Sequence, residues 1–258
     1  MRPIWTGAIG FGLVNIPVKL YSATQDSNLD LDMLDKKDQS HIRYMRVNEK
    51  TGKEVQWENI VKGYKVNEHY VILEDSDFEA ANAVKTKTIE INEFINLADI
   101  DSVYYETPYY IVPDKSGTRA YSLFKEALKK TGKAGIATFV MRNREALAVV
   151  KASDDVLILN RIRFEEEIRD TKELSLPAKA TVKPAELKMA ISLINQLSSD
   201  FDISKYKDKY TADLMKLIKA KSKGVKPAAS KLKVVHSKAS DLMSQLKASL
   251  GTKAKKAS

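Results

Sequence analysis

Residues 115–151 have the sequence KSGTRAYSLFKEALKKTGKAGIATFVMRNREALAVVK. Apolar residues at positions 120, 123, 124, 127 and 128 follow the spacing that places side chains on one buried face of a helix. After Gly132 and Gly135, the runs IATFVM and ALAVV flank Arg142 and Arg144, a pattern typical of a β-hairpin with both arginines at its tip. The segment therefore predicts an amphipathic helix followed by a hairpin of two largely apolar strands.

This segment is also strongly basic, with nine basic and two acidic residues and thus a local charge of +7. A charge run on a helix is most often a solvated face, and that interpretation stays open. A helix and a hairpin tip that share one sign of charge, in a chain with no visible catalytic motif, nevertheless favour a polyanion-binding surface.

The charge of the whole chain is unevenly distributed. The net charge is +9, and residues 221–258, with ten lysines and one acidic residue, account for all of it. Residues 66–114 contain eleven acidic residues and only two basic ones, directly before the basic segment. This asymmetry predicts one face that meets a polyanion and another that is turned away from it.

Composition excludes several kinds of chemistry. The chain contains no cysteine, which excludes disulfides, thiolate metal sites and thiol catalysis and agrees with a reducing cytosol. The apolar run from Ala8 to Val18 is interrupted by Asn15 and Pro17 and has no cleavage pattern, so it predicts a strand rather than a signal peptide. We expect a cytoplasmic, nucleoid-associated protein without a membrane span.

Strand patterns dominate the first two thirds of the chain. Apolar positions change phase near Leu13, which predicts a bulge or bend in a sharply curved strand. Further strands are expected at residues 87–92, 103–112 and 156–164, and a capping box beginning at Ser76 predicts a short helix. Many strands with a few short helices are typical of a β-barrel or curved-sheet core.

The last third of the chain differs from the first two. After the linker LPAKATVKP, apolar periodicity predicts helices at residues 185–197 and 204–221. Two such helices are marginal alone, so we expect them to dock on the barrel, a second copy or another protein. From residue 226 the chain is rich in Lys, Ala and Ser, and we expect a mobile tail.

No catalytic constellation is visible in the sequence. His41, His69 and His236 are far apart, the run Glu165 to Glu167 lies at a strand end beside Arg169, and phosphate-loop and serine-hydrolase motifs are absent. Tyrosines at residues 104–110 could stack single-stranded bases or pack in a core, and both remain possible. The sequence favours a binding protein, with a nuclease or other DNA-processing enzyme as the competing class.

Four long segments resemble prokaryotic Ku, the DNA-end-binding protein of bacterial non-homologous end joining. They are IWTGAIGFGLVNIPVKLYSAT, IRYMRVNEKTGKEVQWENIVKGYKV, YYIVPDKSGTRAYSLFKEAL with GIATFVMRNREALAVV, and PAELKMAISLINQLSSDFDISKYKDKYTADLMKLIKAKSKG. The resemblance covers about residues 1–224, and the lysine-rich tail is similar to the variable extensions of some members.

The resemblance implies a fold that is mainly β with α: a Ku-type β-barrel core with a bridging arm, a helical C-terminal region and a flexible basic tail. The core is expected at residues 1–175, its arm at about 30–66, the two-helix region at 176–224 and the tail at 225–258. A homodimeric ring would thread onto double-stranded DNA ends, protect them and recruit the multifunctional ATP-dependent end-joining ligase. A nucleoid-type nonspecific DNA-binding protein is the alternative.

The expected sites follow from this resemblance and from the charge pattern. The DNA-binding residues would be Lys36, Lys37, Arg43, Arg46, Lys53, Arg119, Lys129, Lys130, Lys133, Arg142 and Arg144. The partner-binding residues would be Leu187, Ile191, Ile194, Tyr206, Tyr210 and Leu214. Some members of the family carry an arm cysteine cluster that looks zinc-binding. Since cysteine is absent here, we expect no metal, no cofactor and no catalytic residue.

Overall fold

The computed structural model describes residues 1–81, 87–142, 144–177 and 181–225, together with Leu246 and Ser249. The chain divides into two compact units. The first contains residues 1–26 and 30–173, and the second contains residues 27–29 and the chain from Leu174 onward. Apart from Val225, Leu246 and Ser249, the predicted mobile tail lies outside the described residues.

A closed seven-stranded barrel forms the core of the first unit and confirms the predicted fold class. Its strands are β1 (Trp5–Phe11), β2 (Val14–Ser22), β5 (Thr88–Asn96), β6 (Tyr105–Pro113), β7 (Lys133–Met141), β8 (Arg144–Ala152) and β9 (Leu157–Ile162). They are arranged in the order β1-β2-β6-β9-β8-β7-β5. Parallel pairing of β1 with β5 closes the barrel, and every other neighbouring pair is antiparallel.

Alternation along the strands fills the barrel interior with apolar side chains. Its largest fully buried side chains include Ile9, Ile16, Leu20, Ile89, Ile111, Leu157 and Leu159. A second, smaller apolar cluster lies around Ala134, Val149 and Ile162, where Leu97, Ile100, Tyr104 and Tyr105 pack. Tyr109 is buried in the interior cluster, so one of the clustered tyrosines serves as core.

The phase change near Leu13 marks a turn between two strands. Phe11 pairs with Val14, so Gly12 and Leu13 form a two-residue hairpin loop, and Gly12 has a φ of 55°. Glycine adopts this left-handed conformation without steric cost. The prediction of one bent strand was therefore wrong, because a two-residue turn also shifts the apolar phase.

Helix α2, Thr118–Thr131, covers one end of the barrel. Its buried side chains are Tyr121, Phe124 and Leu128, whereas Leu123 is 72% exposed, so the buried face is rotated from the predicted one. The hydroxyl of Tyr121 donates to the carbonyl of Ile111 at 2.7 Å and accepts from the amide of Leu157 at 2.7 Å. A tyrosine with both polar partners satisfied can be buried, which apolar periodicity alone does not predict.

Between β2 and β5 lies the arm, which we define as residues 30–61. It has no long strand, and its two small loops are closed by the isolated bridges Leu34–His41 and Val47–Glu54. The arm is followed by a two-stranded hairpin of β3 (Lys62–Val66) and β4 (His69–Leu73) and by α1 (Asp75–Ala81).

The sequence did not predict the β3–β4 hairpin as a unit, and the helix after it begins at Asp75 rather than being capped by Ser76. The amide of Glu74 donates to the carboxylate of Asp77, as an N-cap amide does to the N3 side chain, so the cap lies two residues earlier than expected.

The second unit contains α3 (Pro184–Leu197) and α4 (Lys209–Ser222), which confirms two helices. Helix α4 begins later than predicted because the side chain of Asp208 accepts from the amide of Thr211 and caps it there. No side chain of this unit is buried among its described residues. None of the helices in the described ranges has both the length and the apolar character needed to cross a bilayer.

Candidate nucleic-acid interface

The two ends of the barrel carry different features. At one end β1 begins, β2 ends at Ser22, β5 begins at Thr88 and β7 ends at Met141. Because the chain leaves the barrel after β2 and returns to it at β5, the arm is rooted here, and we call this the arm end. Helix α2 lies at the opposite end, which we call the helix end.

The β7–β8 hairpin tip lies at the arm end. Met141 pairs with Arg144, so Arg142 occupies the first position of a two-residue turn and has a φ of 50°. Both Arg142 and Arg144 are exposed, and neither forms an ion pair within the described residues. The indole of Trp5 donates to the carbonyl of Val140 at 3.0 Å and fixes the last strand residues before the tip. The tip therefore presents two exposed guanidinium groups without an ion pair among the described residues, and the Trp5 hydrogen bond holds the strand that leads to them.

A cavity of about 520 Å³ lies beside this tip, lined among others by Arg142, Arg144, Arg161, Glu166 and Glu167. Its cations are not equivalent, because Arg161 is in an ion pair with Glu106 at 3.2 Å. The basic end of β9 is thus largely structural, while the tip arginines remain available.

Arg163 has a structural role as well. It is paired with the same carboxylate of Glu106 at 3.4 Å and donates to the carbonyls of Val103 and Tyr105. These contacts fasten the segment before β6 to the end of β9.

The first loop of the arm presents Lys36 and Lys37. A carboxylate oxygen of Asp35 accepts from the amide of Lys37, and Asp38 accepts from the amide and hydroxyl of Ser40. The hydrogen bonds from Ser40 lower the pKa of Asp38 below its usual value. Both lysine side chains are exposed at the end of a loop that its own aspartates close.

The second loop contains Lys50 and Lys53 and is closed by an asparagine. The side-chain oxygen of Asn48 accepts from the amides of Lys50 and Thr51. Below the loop, the guanidinium of Arg46 lies 4.6 Å from the ring centre of Trp57. This stacking leaves the donor groups of Arg46 free while it fixes their plane. The remaining arm cation, Arg43, is exposed.

The other predicted DNA-binding residues lie at the helix end. They are Arg119, Lys129, Lys130 and Lys133, at the start of α2, in its last turn and at the start of β7. Lys129 is paired with Asp154 at 3.7 Å. Strand β7 separates Lys133 from Met141 by about 27 Å. The basic segment 115–151 is therefore split between the two ends, because its second half is a full-length strand.

Among the described residues of this unit, no metal centre is visible. No group of three His, Asp or Glu side chains in the described ranges is arranged to hold a metal ion. His41 lies 3.9 Å from Asp32, and Glu165 to Glu167 form an exposed turn of helix. The arrangement of free cations on loops can bind phosphates.

The predicted partner-binding residues belong to the second unit. On α3, Leu187, Ile191 and Ile194 follow one face and are all about half exposed or more. Tyr206 and Tyr210, before and within α4, are also exposed, whereas Leu214 is partly buried. The unit therefore has an apolar face that its own described residues do not cover.

Sequence reasoning missed the apolar surface of the arm and the following hairpin. Exposed side chains there include Leu31, Met33, Tyr44, Met45, Trp57, Val61, Tyr64, Tyr70 and Ile72. Trp57 is 71% exposed and Met45 is 64% exposed. The arm sequence contains apolar residues that follow neither a helical nor a strand period, and this could have indicated an exposed apolar surface.

Comparison with known proteins gives one consistent result. Residues 10–189 match the family described as the Ku70/Ku80 beta-barrel domain. The chain is 40% identical to a protein of Cupriavidus necator named "Non-homologous end joining protein Ku", over 98% of this chain and 79% of that protein.

Proteins with the same name in Opitutus terrae and Archaeoglobus fulgidus are 43% and 41% identical, over 86% and 87% of this chain and 80% and 89% of theirs. Among solved structures, the SPOC domain of human PHD-finger protein 3 matches with a TM-score of 0.31 and 11% identity, over 62% of this chain and 95% of that one. That likeness carries no argument about this chain.

Proposed function

The chain belongs to the Ku family, and on that premise we propose that it binds the ends of double-stranded DNA in non-homologous end joining. Its role in this proposal is binding rather than catalysis. The protein protects the ends as a homodimeric ring and recruits the end-joining ligase. The arm end of the barrel supplies the DNA contacts.

The chemistry of these contacts is phosphate neutralisation. Lys36, Lys37 and Lys53 are on arm loops, and Arg142 and Arg144 are on the hairpin tip at the end where the arm is rooted. Loop lysines and exposed arginines bind phosphates without reading bases, and each phosphate contact releases counterions from the duplex. We therefore infer binding that is independent of sequence and strongly dependent on salt.

One observation carries the proposal: the arm exposes apolar side chains and cations together. An isolated chain gains nothing from leaving Trp57 and Met45 in water, and contiguous exposed apolar surface usually marks an interface. A second copy that covers the apolar side with its own arm would leave the cations facing an enclosed channel. Identical surfaces that cover one another are the usual arrangement of a symmetric dimer.

A ring discriminates DNA ends by topology. A closed channel can pass over a free end, but it cannot enclose a covalently closed circle. Binding of the full chain to a linear duplex should therefore greatly exceed binding to a small closed circle of the same sequence, measured by gel shift at equal salt.

Cutting the circle once with a restriction enzyme is the matched control and should restore binding. Equal affinity for circle and linear duplex would refute the ring. That outcome would instead support a nucleoid-type nonspecific DNA-binding protein, an alternative that the charge of residues 221–258 favours.

The second unit suits recruitment of the ligase. Leu187, Ile191 and Ile194 form an uncovered apolar row on α3, and Tyr206 and Tyr210 add exposed aromatic side chains. Aromatic and aliphatic side chains on a helix face are the usual anchors of protein partners. We assign this surface to the multifunctional ATP-dependent DNA ligase of the pathway, and it is tested by the α3 variants described below.

A further inference from the structure

The helix end of the barrel contains an apolar pocket. Three phenylalanines form its floor: Phe11 at the end of β1, Phe94 on β5 and Phe124 on α2. The rings of Phe11 and Phe124 are stacked with centres 4.8 Å apart, and Phe94 meets both edge-on at 5.9 and 6.1 Å. Ala127, Leu128, Thr131 and Lys133 complete the lining of this cavity of about 280 Å³. We call it the phenylalanine pocket.

Its size and lining restrict what it can hold. Small-molecule and nucleotide sites are usually about 300–1,000 Å³ and contain several converging polar groups. This pocket is smaller, and only Thr131 and Lys133 bring polar atoms to it. A cavity of this kind fits one large apolar side chain of a partner, which is the usual form of an interface anchor.

The surface beside the pocket extends the apolar contact. On α2, Leu123 precedes Ala127 by one turn, and it is 72% exposed. At the β1–β2 turn, Leu13 is fully exposed, and Phe94 is itself 43% exposed. These side chains add exposed apolar surface at the same end of the barrel as the pocket, and exposed apolar surface of this kind marks binding surfaces.

Cations border the patch and are unpaired. Arg119, Leu123, Ala127 and Lys130 are successive neighbours along one row of α2, and Lys133 lines the pocket itself. Within the described residues, Arg119, Lys130 and Lys133 form no ion pair.

By contrast, the lysines on the other side of the helix have partners. Lys125 donates to the carbonyls of Asp154 and Asp155, and Lys129 is paired with the carboxylate of Asp154. The cations of α2 without an ion pair or a side-chain hydrogen bond among the described residues thus lie on the pocket side, where exposed Glu126, one turn before Lys130, is the acidic residue of the helix.

We propose that the phenylalanine pocket docks a short acidic peptide segment of another protein, with one large apolar side chain in the pocket and its carboxylates on Arg119, Lys130 and Lys133. Charge complementarity selects this occupant over a neutral or basic peptide. Lys133 is separated by the length of β7 from the hairpin tip at the arm end. The pocket can therefore be occupied while the arm end holds DNA.

The experiment measures fluorescence anisotropy of a labelled peptide, Glu-Asp-Phe-Leu-Asp-Glu, added to the full-length protein. One control peptide replaces Phe and Leu by Ser, and a second replaces all four acids by Lys. The acidic, apolar peptide should bind saturably and both controls at least about tenfold more weakly, since loss of an anchor or of charge complementarity has at least this effect.

Matched protein variants locate the site. Ala127→Trp fills the pocket from its exposed edge and should abolish peptide binding, whereas Ser122→Trp on the opposite side of α2 should not. Replacing both Lys130 and Lys133 by Gln should weaken binding of the acidic peptide several-fold, whereas Lys129→Gln should leave it unchanged. Gel shifts with linear duplex should be unchanged for Ala127→Trp and Ser122→Trp, and thermal unfolding verifies that each variant is folded.

Three results would overturn the proposal. They are absence of saturable binding by the acidic peptide, equal binding of the serine control, and binding that survives Ala127→Trp. If the Lys130 and Lys133 variant instead loses duplex affinity while the peptide does not bind, the surface belongs to DNA. Failure of the circle-versus-linear test would leave these results untouched, so the two proposals stand or fall separately.

Discussion

Neutralising the hairpin tip tests whether the arm end holds DNA. The double variant Arg142→Asn and Arg144→Gln removes two exposed cations that have no ion-pair partner within the described residues. Asparagine is chosen at position 142 because the backbone there has a φ of 50°, a conformation that asparagine tolerates much better than arginine. The unfolding free energy should therefore stay the same or rise by less than about 1 kcal/mol.

The magnitude follows from counterion release. Each phosphate contact adds about 0.9 to the slope of log affinity against log salt concentration, so loss of two contacts lowers that slope by about 1.8 for each tip that reaches the duplex. Between 50 and 200 mM salt, wild type should lose about twelvefold more affinity than the variant does, because a fourfold change in salt is raised to the power 1.8. The tip of each chain in a homodimer contributes separately, so two engaged tips would double the change in slope.

The assay is anisotropy of a labelled linear duplex titrated at several salt concentrations, with thermal unfolding recorded for each variant. Lys115→Gln with Lys125→Gln is the matched control, since it removes the same charge from the helix end at positions outside the expected DNA-binding set. Its slope should equal that of wild type. A tip variant that is folded but whose slope changes by less than about half a unit would remove Arg142 and Arg144 from the DNA site.

Three further predictions concern the dimer, the barrel and the second unit. Met45→Asp places a charge on the exposed apolar side of the arm, so light scattering should show monomers while the barrel unfolds at the wild-type temperature; a persistent dimer would refute that interface. Tyr121→Phe leaves two buried backbone groups without their hydroxyl partner and should lower the unfolding free energy by about 1–3 kcal/mol in urea; a neutral effect would mean that other groups satisfy them. Leu187→Asp with Ile194→Asp should abolish ligase binding in a pull-down with the purified ligase and spare duplex binding; retained ligase binding would exclude the α3 face.

The barrel strands and α2 were predictable because they obey simple periodicities. The apolar runs IATFVM and ALAVV predict a hairpin, and the antiparallel pairing of β7 with β8 confirms it. The rotation of α2 was not predictable, since burial of Tyr121 depends on two backbone partners, in β6 and β9, that lie 10 and 36 residues away. Local periodicity contains no information about such partners.

The sequence predicted which residues are candidate site residues, but not how they are arranged in space. The sequence identified the exposed cations of the arm and of segment 115–151. It could not show that Lys133 and Arg142 lie at opposite ends of a strand with the arm rooted at only one of them. The charge of a segment does not show where its residues lie in the fold. Here the length of β7 separates the candidate DNA site at the arm end from the candidate peptide site at the helix end.

The closure of the barrel has a consequence for how the arm can change. The chain leaves the barrel after β2 and returns to it at β5, and both strands pair with β1, so these two strands are about 10 Å apart, two strand spacings. For an insertion with neighbouring ends, each doubling of length adds only about 0.6 kcal/mol of closure entropy. The arm can therefore be lengthened or shortened in evolution, and the aspartates that close its first loop can be replaced by other loop-closing residues. The seven barrel strands would fold as before.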